Sequence, residues 1–252
     1  MRKTLLVFGC VLTLLATGLQ ARDWSKVRIA VDVPYEPFEY KSPDGTLTGF
    51  EVDLGNAVCK EIKAKCEWVI QAWDGIIPGL LARKYDAIMS SMSITEERAK
   101  KVLFSDGYYN TPSTWFGNKA LGDLDVTSKS ALKGKLVGVQ RGTLQDDHVT
   151  DNFGDVVKIK RYTTADDMVL DLTGGRLDLV FLDFPVGEKT VLTNSDYKIV
   201  GENVQVGTGI GVAFRKRDKK LAEKFNAALE KLKNDGTYDA IQKKYFKYSI
   251  KI

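Results

Sequence analysis

Short apolar runs alternate with helix-periodic stretches along this 252-residue chain, and the alternation is written twice. Residues 27–31 have strand character, residues 48–64 place Phe50, Leu54, Val58 and Ile62 at helical spacing, and residues 66–70 return to strand. Residues 73–82 carry Ile76, Ile77, Leu80 and Leu81, a second amphipathic helix, before a strand at 87–89. This order predicts a parallel sheet with helical crossovers. The grammar restarts with a strand at 136–139, a helix from Leu144, a strand at 156–162, a helix at 164–173 closed by Gly174-Gly175, and a strand at 177–182 that ends at Asp183. A strand at 209–214, a helix at 221–233 and a last helix from Thr237 to about Tyr245-Phe246 complete the chain. Segments 109–114, with Pro112, and 204–208 read as linkers. Linkers on both sides of the second unit predict a chain that leaves a first lobe, builds a second and returns. The expected fold class is α/β with two lobes.

The N-terminus reads as a targeting segment. Arg2 and Lys3 precede a mostly apolar run at 5–16, and Leu19-Gln20-Ala21 offers a cleavage site with a small last residue. The expected cut after Ala21 makes residues 1–21 a signal peptide and the mature protein exported. Val7-Phe8-Gly9-Cys10 resembles a lipoprotein box, but a cut there would leave Val11-Leu12-Thr13-Leu14-Leu15 on the mature protein. The formal net charge of +4 falls to about +2 without Arg2 and Lys3, and no long basic block remains. Nucleic acid is therefore not an expected partner. Cys59 and Cys66 remain after cleavage, an even number that suggests a disulfide in an exported protein. A pair of reduced, buried thiols is the alternative. With His148 the only histidine and no Cys-x-x-Cys pattern, a His-based metal site or a Ser-His triad has little material.

The stretch with most chemistry is Asp86-Ala-Ile-Met-Ser-Ser-Met-Ser-Ile-Thr-Glu-Glu-Arg98. It reads as a short strand, a loop with the hydroxyls of Ser90, Ser91 and Ser93, and a helix capped by Thr95 with Arg98 on its first turn. Backbone donors at a helix start favour an anion, and a guanidinium grips a carboxylate with two parallel bonds. The segment is built to hold a small carboxylate.

These pieces, taken in order, carry a resemblance. Asp32-Val-Pro-Tyr-Glu-Pro-Phe38, Gly49-Phe-Glu-Val-Asp-Leu54, Trp73-Asp-Gly-Ile-Ile-Pro78, the Asp86 to Arg98 stretch, Gly138-Val-Gln-Arg-Gly-Thr143, Gly175-Arg-Leu-Asp178 and Asp235-Gly-Thr-Tyr238 span nearly the whole mature chain. The chain resembles the periplasmic amino-acid-binding proteins of polar amino acid ABC importers, close to the lysine/arginine/ornithine- and histidine-binding receptors. The resemblance implies a periplasmic-binding-protein-like clamp joined by two hinge strands, with residues 22–110 and 208–252 as lobe 1 and 111–207 as lobe 2. It implies that Arg98 pairs with a ligand α-carboxylate, helped by Ser93, Thr143 and Leu144. Asp183 would hold the α-ammonium beside Ser91. Tyr35 and Trp73 would flank the ligand side chain, with Asp32 and Ser90 at its distal end. Glu51 reads as a surface helix residue. Gln140-Arg141 departs from the lysine-receptor pattern.

Taking a zwitterion out of water is costly unless each charge is paired, and Arg98 and Asp183 supply opposite charges from opposite lobes. Two aromatic faces and the Asp32 carboxylate suit a cation or a planar guanidinium. The expected function is therefore capture of arginine, lysine, ornithine or histidine and delivery to an ABC permease at the inner membrane, by a monomer with no cofactor, no metal and no catalysis. The alternatives are another ligand in the same clamp, such as glutamine or an amino-acid conjugate, and a dehydratase-like enzyme on this fold. A signalling-receptor ectodomain is a further one. Retention of both Arg98 and Asp183 speaks against the dehydratase.

Overall fold

Val27, Ile29, Ala30 and Val31 are fully buried, so the first strand, β1 (Lys26–Val31), is covered on both faces. The computed structural model describes residues 24–252; the expected signal peptide, its cut after Ala21, and Cys10 lie outside the described residues. After β1 come β2 (Tyr40–Lys41), β3 (Leu47–Thr48), α1 (Phe50–Glu61), β4 (Lys65–Ile70), α2 (Ile76–Leu81), β5 (Ala87–Ile88), α3 (Glu96–Lys101) and β6 (Leu103–Phe104). The chain continues with β7 (Ser113–Asn118), α4 (Lys129–Leu132), β8 (Leu136–Gln140), α5 (Leu144–Phe153), β9 (Lys158–Tyr162), α6 (Ala165–Thr173), β10 (Leu179–Asp183), α7 (Phe184–Thr190) and β11 (Tyr197–Val204). It ends with β12 (Ala213–Phe214), α8 (Lys219–Asn234) and α9 (Thr237–Tyr245). Among these described residues no helix is long and apolar enough to cross a membrane.

Two five-stranded sheets result, ordered β4-β1-β5-β12-β6 and β11-β7-β10-β8-β9. The chain passes from the first to the second between β6 and β7 and returns between β11 and β12. The fold is α/β and two-lobed, as expected. The sheets are mixed and not purely parallel: β1 pairs in parallel with β4 and β5, but β12 runs antiparallel to β5 and β6, and β7 antiparallel to β10 and β11. The returning strand enters from the far end, and only an antiparallel pairing accommodates that.

Several expected boundaries move, each for a local reason. The helix expected at 48–64 spans only Phe50–Glu61. Thr48 is instead paired with Tyr40 in the small hairpin, and Gly49 takes φ 125 because a Cβ there would collide with the Phe38 backbone. At the other end Lys63 turns left-handed at φ 55, and the Ala64 N–H bonds back to Cys59 O at 2.9 Å. The apolar Ile62 continues the period past the point where the backbone stops. Cys59 therefore sits on α1, and Cys66 on β4 beside it; the two form a disulfide. Residues 73–82 split into a 3₁₀ turn at Trp73–Gly75 and the short α2, with Pro78 tolerated in the first turn of α2. Of the strand expected at 209–214 only Ala213–Phe214 joins a sheet; Ile210 bonds irregularly to Tyr109 and Tyr108 instead. Ser113 and Thr114, read as linker, already belong to β7, and Val204 ends β11.

Packing follows the apolar periods. Leu221, Phe225, Leu229 and Leu232 of α8 are buried against the first sheet with Phe50, Leu54 and Val58 of α1 and Tyr238 of α9. Arg215 is buried after β12, and its guanidinium bonds Asp86 at 2.9 Å and Asp218 at 2.6 Å. Asp86 thereby ties the start of β5 to the end of β12.

Candidate functional site

In an open α/β sheet the space beyond the carboxyl ends of parallel strands is the natural site for a ligand. Asp32 directly follows β1, Ser90 follows β5, Gln140 ends β8 and Asp183 ends β10. The two sheets face one another across these ends. Between them lies a narrow cavity lined by Asp32, Tyr35, Glu39, Trp73, Ser90, Ser91, Ser93, Arg98, Gln140, Thr143, Leu144, Gln145 and Asp183. All ten residues expected at a ligand are thus brought to one place; Glu39, Gln140 and Gln145 join them.

The arginine end is assembled by α3. Thr95 caps the helix, its Oγ1 accepting from the Arg98 N–H at 3.1 Å. The Arg98 guanidinium donates to Ser93 O at 3.1 Å and lies 5.3 Å from the centre of the Trp73 ring. Opposite, Thr143 caps α5, accepting from the Asp146 N–H at 3.2 Å and donating to Gln140 O at 2.8 Å. Leu144 and Gln145 are therefore the first helical residues, with N–H groups at the positive end of a helix. One guanidinium and one helix start converge on a spot suited to a carboxylate.

The acidic groups occupy the rest. The Asp183 carboxylate is buried and accepts from Tyr35 Oη at 2.7 Å, Gln145 Nε2 at 2.9 Å and Ser113 Oγ at 3.3 Å. Burial raises its pKa from the ordinary 3.8 to about 6, against these three hydrogen bonds, which lower it. Asp32 accepts from Gln140 Nε2 at 2.7 Å, and burial also pushes it up to about 6. Glu39 is 1% exposed. A tight turn, in which the Tyr35 N–H donates to Glu39 O at 2.6 Å, swings the Tyr35 ring and the Glu39 carboxyl together toward the cavity. Ser90 Oγ donates to Glu39 at 2.7 Å and accepts from the Asp32 N–H at 2.8 Å.

Glu51 corrects an expectation. It is fully buried and not a surface helix residue. The close approach of Gly49 to Phe38 seats the first turn of α1 under the serine loop, and Glu51 accepts there from Ser91 N at 3.0 Å, Tyr108 Oη at 2.6 Å and Tyr109 Oη at 2.9 Å. Burial raises its pKa to about 7.

The lobes touch across the cavity. Tyr35 meets Asp183, Gln140 meets Asp32, and Trp73 Nε1 donates to Gly142 O at 2.9 Å. At the rim Arg141 lies 3.8 Å from Asp74. The Gln140-Arg141 departure thus changes both the cavity wall and its rim.

Against families of known proteins, residues 27–248 match the sequence model of the bacterial extracellular solute-binding proteins, family 3. The L-arginine-binding protein of Pseudomonas aeruginosa is 41% identical, over 99% of this chain and 98% of its own. The lysine/arginine/ornithine-binding periplasmic protein of Escherichia coli (strain K12) is 36% identical, over 99% of each chain. Among solved structures, an ancestral arginine-binding protein bound to arginine superposes with a TM-score of 0.83 at 38% identity, covering 88% of this chain and 98% of that one.

Proposed function

Since the chain belongs to the bacterial extracellular solute-binding proteins of family 3, we propose that it captures a cationic L-amino acid in the periplasm and delivers it to an ABC permease at the inner membrane. One observation carries the ligand assignment: the cavity holds one guanidinium, Arg98, against three carboxyls, Asp32, Glu39 and Asp183. A zwitterion with a cationic side chain brings one negative and two positive charges. Its carboxylate pairs with Arg98 and its ammonium with Asp183, and its side-chain cation enters between Tyr35 and Trp73 to reach Asp32 and Glu39. A neutral side chain leaves those two acids uncompensated in a buried site, which is costly. The names of the relatives, arginine-binding and lysine/arginine/ornithine-binding, favour the same ligand class.

The site binds and does not transform. Arg98 and Asp183 are taken up by the ligand's own carboxylate and ammonium, and Asp32 and Glu39 share its side-chain cation, so each of these groups has a binding role. The hinged lobes close on the amino acid as a monomer, after the signal peptide is removed following Ala21. Calorimetry of the mature protein against arginine, lysine, ornithine, histidine, glutamine and glutamate tests the assignment. Micromolar or tighter binding confined to the basic members is expected. Preference for glutamine would refute the cationic ligand while leaving a binding protein.

A further inference from the structure

Behind Glu39 lies a second buried acid, Glu51, that charge recognition alone does not require. Glu39 lines the cavity; Glu51 does not, yet it is fully buried. Ser91 links them. Its backbone is left-handed at φ 49, a conformation unfavourable for a serine. There it directs its N–H to Glu51 at 3.0 Å and its Oγ to Glu39 at 3.4 Å. The groups that face the pair are Ser90 and Ser91, Tyr108 and Tyr109, Tyr238 from α9, Tyr35, and Asp32. All are acids, phenols or hydroxyls. Among the described residues no Lys or Arg forms an ion pair with either carboxyl.

The hydrogen-bond inventory is uneven. Glu51 receives the Ser91 N–H and the Tyr108 and Tyr109 hydroxyls. Glu39 receives Ser90 Oγ and the long bond from Ser91 Oγ. Tyr109 carries one proton but stands 2.9 Å from Glu51 and 2.8 Å from Ser91 Oγ, so the network holds fewer protons than acceptor positions. Donors thus favour the ionised form at Glu51, and two like charges in one buried network disfavour a second ionisation at Glu39.

We propose that Glu51 is a positioning residue that keeps one proton on Glu39, and that a cationic side chain entering the cavity expels this proton to solvent. Capture of the cation is then an exchange of one positive charge for another. Affinity falls as the pH falls, because protons and ligand compete for Glu39. The high pKa of Glu39 and the value of about 7 at Glu51, both raised chiefly by burial, agree with this geometry.

The inference rests on the proposed capture of a cationic amino acid, and arginine calorimetry at pH 7.5 separates the two. Asp32 and Asp183, near 6, are already ionised there, and the arginine side chain does not titrate. Heats measured in buffers of different ionisation enthalpy give the protons released per arginine. We expect about 0.5–1 proton for the wild type, with Kd rising by up to about tenfold per pH unit below that pH. Glu51→Gln should release clearly less than the wild type, since the like charge behind Glu39 is gone while its burial remains. Glu39→Gln should release close to none and serves if the first variant does not fold. Tight arginine binding with no proton release, or equal release in the wild type and both variants, overturns the inference and leaves the proposed function standing. Failure to bind any basic amino acid overturns both.

Discussion

The Tyr35 hydroxyl donates to the Asp183 carboxylate at 2.7 Å although the two residues are 148 positions apart. One hangs from the turn after β1 in the first lobe and the other ends β10 in the second. The bond therefore joins the lobes directly, through the carboxylate assigned to the ligand ammonium.

Tyr35→Phe removes that link while keeping the aromatic face. A hydrogen bond to a charged acceptor is worth about 1.5–3 kcal/mol. Without amino acid the variant should populate an opened form, seen as a larger radius of gyration in solution scattering, and arginine should restore the compact value. Equal radii for wild type and variant without ligand would show that the bond adds nothing to closure.

Arg98→Ala should abolish amino-acid binding without unfolding the protein. Arg98 lies on the first turn of α3, and its guanidinium bonds backbone oxygens of Ser93 and Gly142 and lies over the cavity-lining Trp73 ring, so the variant loses contacts at the cavity and keeps the Thr95 cap, which uses only the backbone N–H. Loss of the partner of a buried carboxylate costs on the order of 3–5 kcal/mol. Micromolar affinity in this variant, measured by calorimetry, would place the carboxylate elsewhere.

Asp32→Asn keeps size and removes charge. It should weaken arginine or lysine by about 1.5–3 kcal/mol and glutamine far less. Gln140 Nε2, now 2.7 Å from Asp32 Oδ2, can turn its own oxygen to the new amide, so the fold should hold. Equal weakening of charged and neutral ligands would mean that Asp32 only shapes the turn.

Stability should fall with rising pH through the acidic range when no amino acid is present. Asp183 has a folded pKa of about 6 against an ordinary 3.8. The folded state thus retains a proton that the unfolded chain has released. The stabilising share is complete below about pH 4 and is lost as the pH climbs through 6. Thermal unfolding from pH 4 to 7 should show a shallower fall in Asp183→Asn than in the wild type. Parallel curves would mean that Asp183 titrates as an exposed carboxylate.

Titration of the denatured, unreduced mature protein should find no free thiol at Cys59 or Cys66. Replacing both cysteines by alanine should cost about 2.5 kcal/mol, the chain-entropy value for so short a loop, read from denaturant midpoints. An unchanged midpoint would show that the loop is already ordered in the unfolded chain.

The fold and most of the cavity were legible because most of the charged and hydroxyl lining residues sit at a grammatical boundary. Asp32, Ser90 and Asp183 directly follow or end apolar runs, and Thr143 and Arg98 open helices. Glu39 and Glu51 were not legible for a common reason. Phe38-Glu39-Tyr40 looks like an alternating strand with its polar residue outward, and Glu51 looks like an ordinary first-turn acid. Their burial is decided by Gly49, which lets α1 lie against the Phe38 backbone and closes over both side chains. That is a tertiary contact with no local signature. β7 and β11 were missed because Ser113–Asn118 and Tyr197–Val204 have too few consecutive apolar residues to stand out; antiparallel pairing with each other holds them.

β12 occupies the place between β5 and β6, and β6 joins the first sheet only through it. Residues 213 and 214 must therefore arrive before strands made more than a hundred positions earlier can settle. A ribosome or translocation pore releasing the chain from its amino end presents the first lobe unfinished, with the β5 edge open, until the whole second lobe and then residues 213 and 214 have emerged. Such long-range closure makes folding of the first lobe slow and delays it until its returning strand is out. For a chain proposed to be exported, that order keeps the first lobe open while the second is still being delivered.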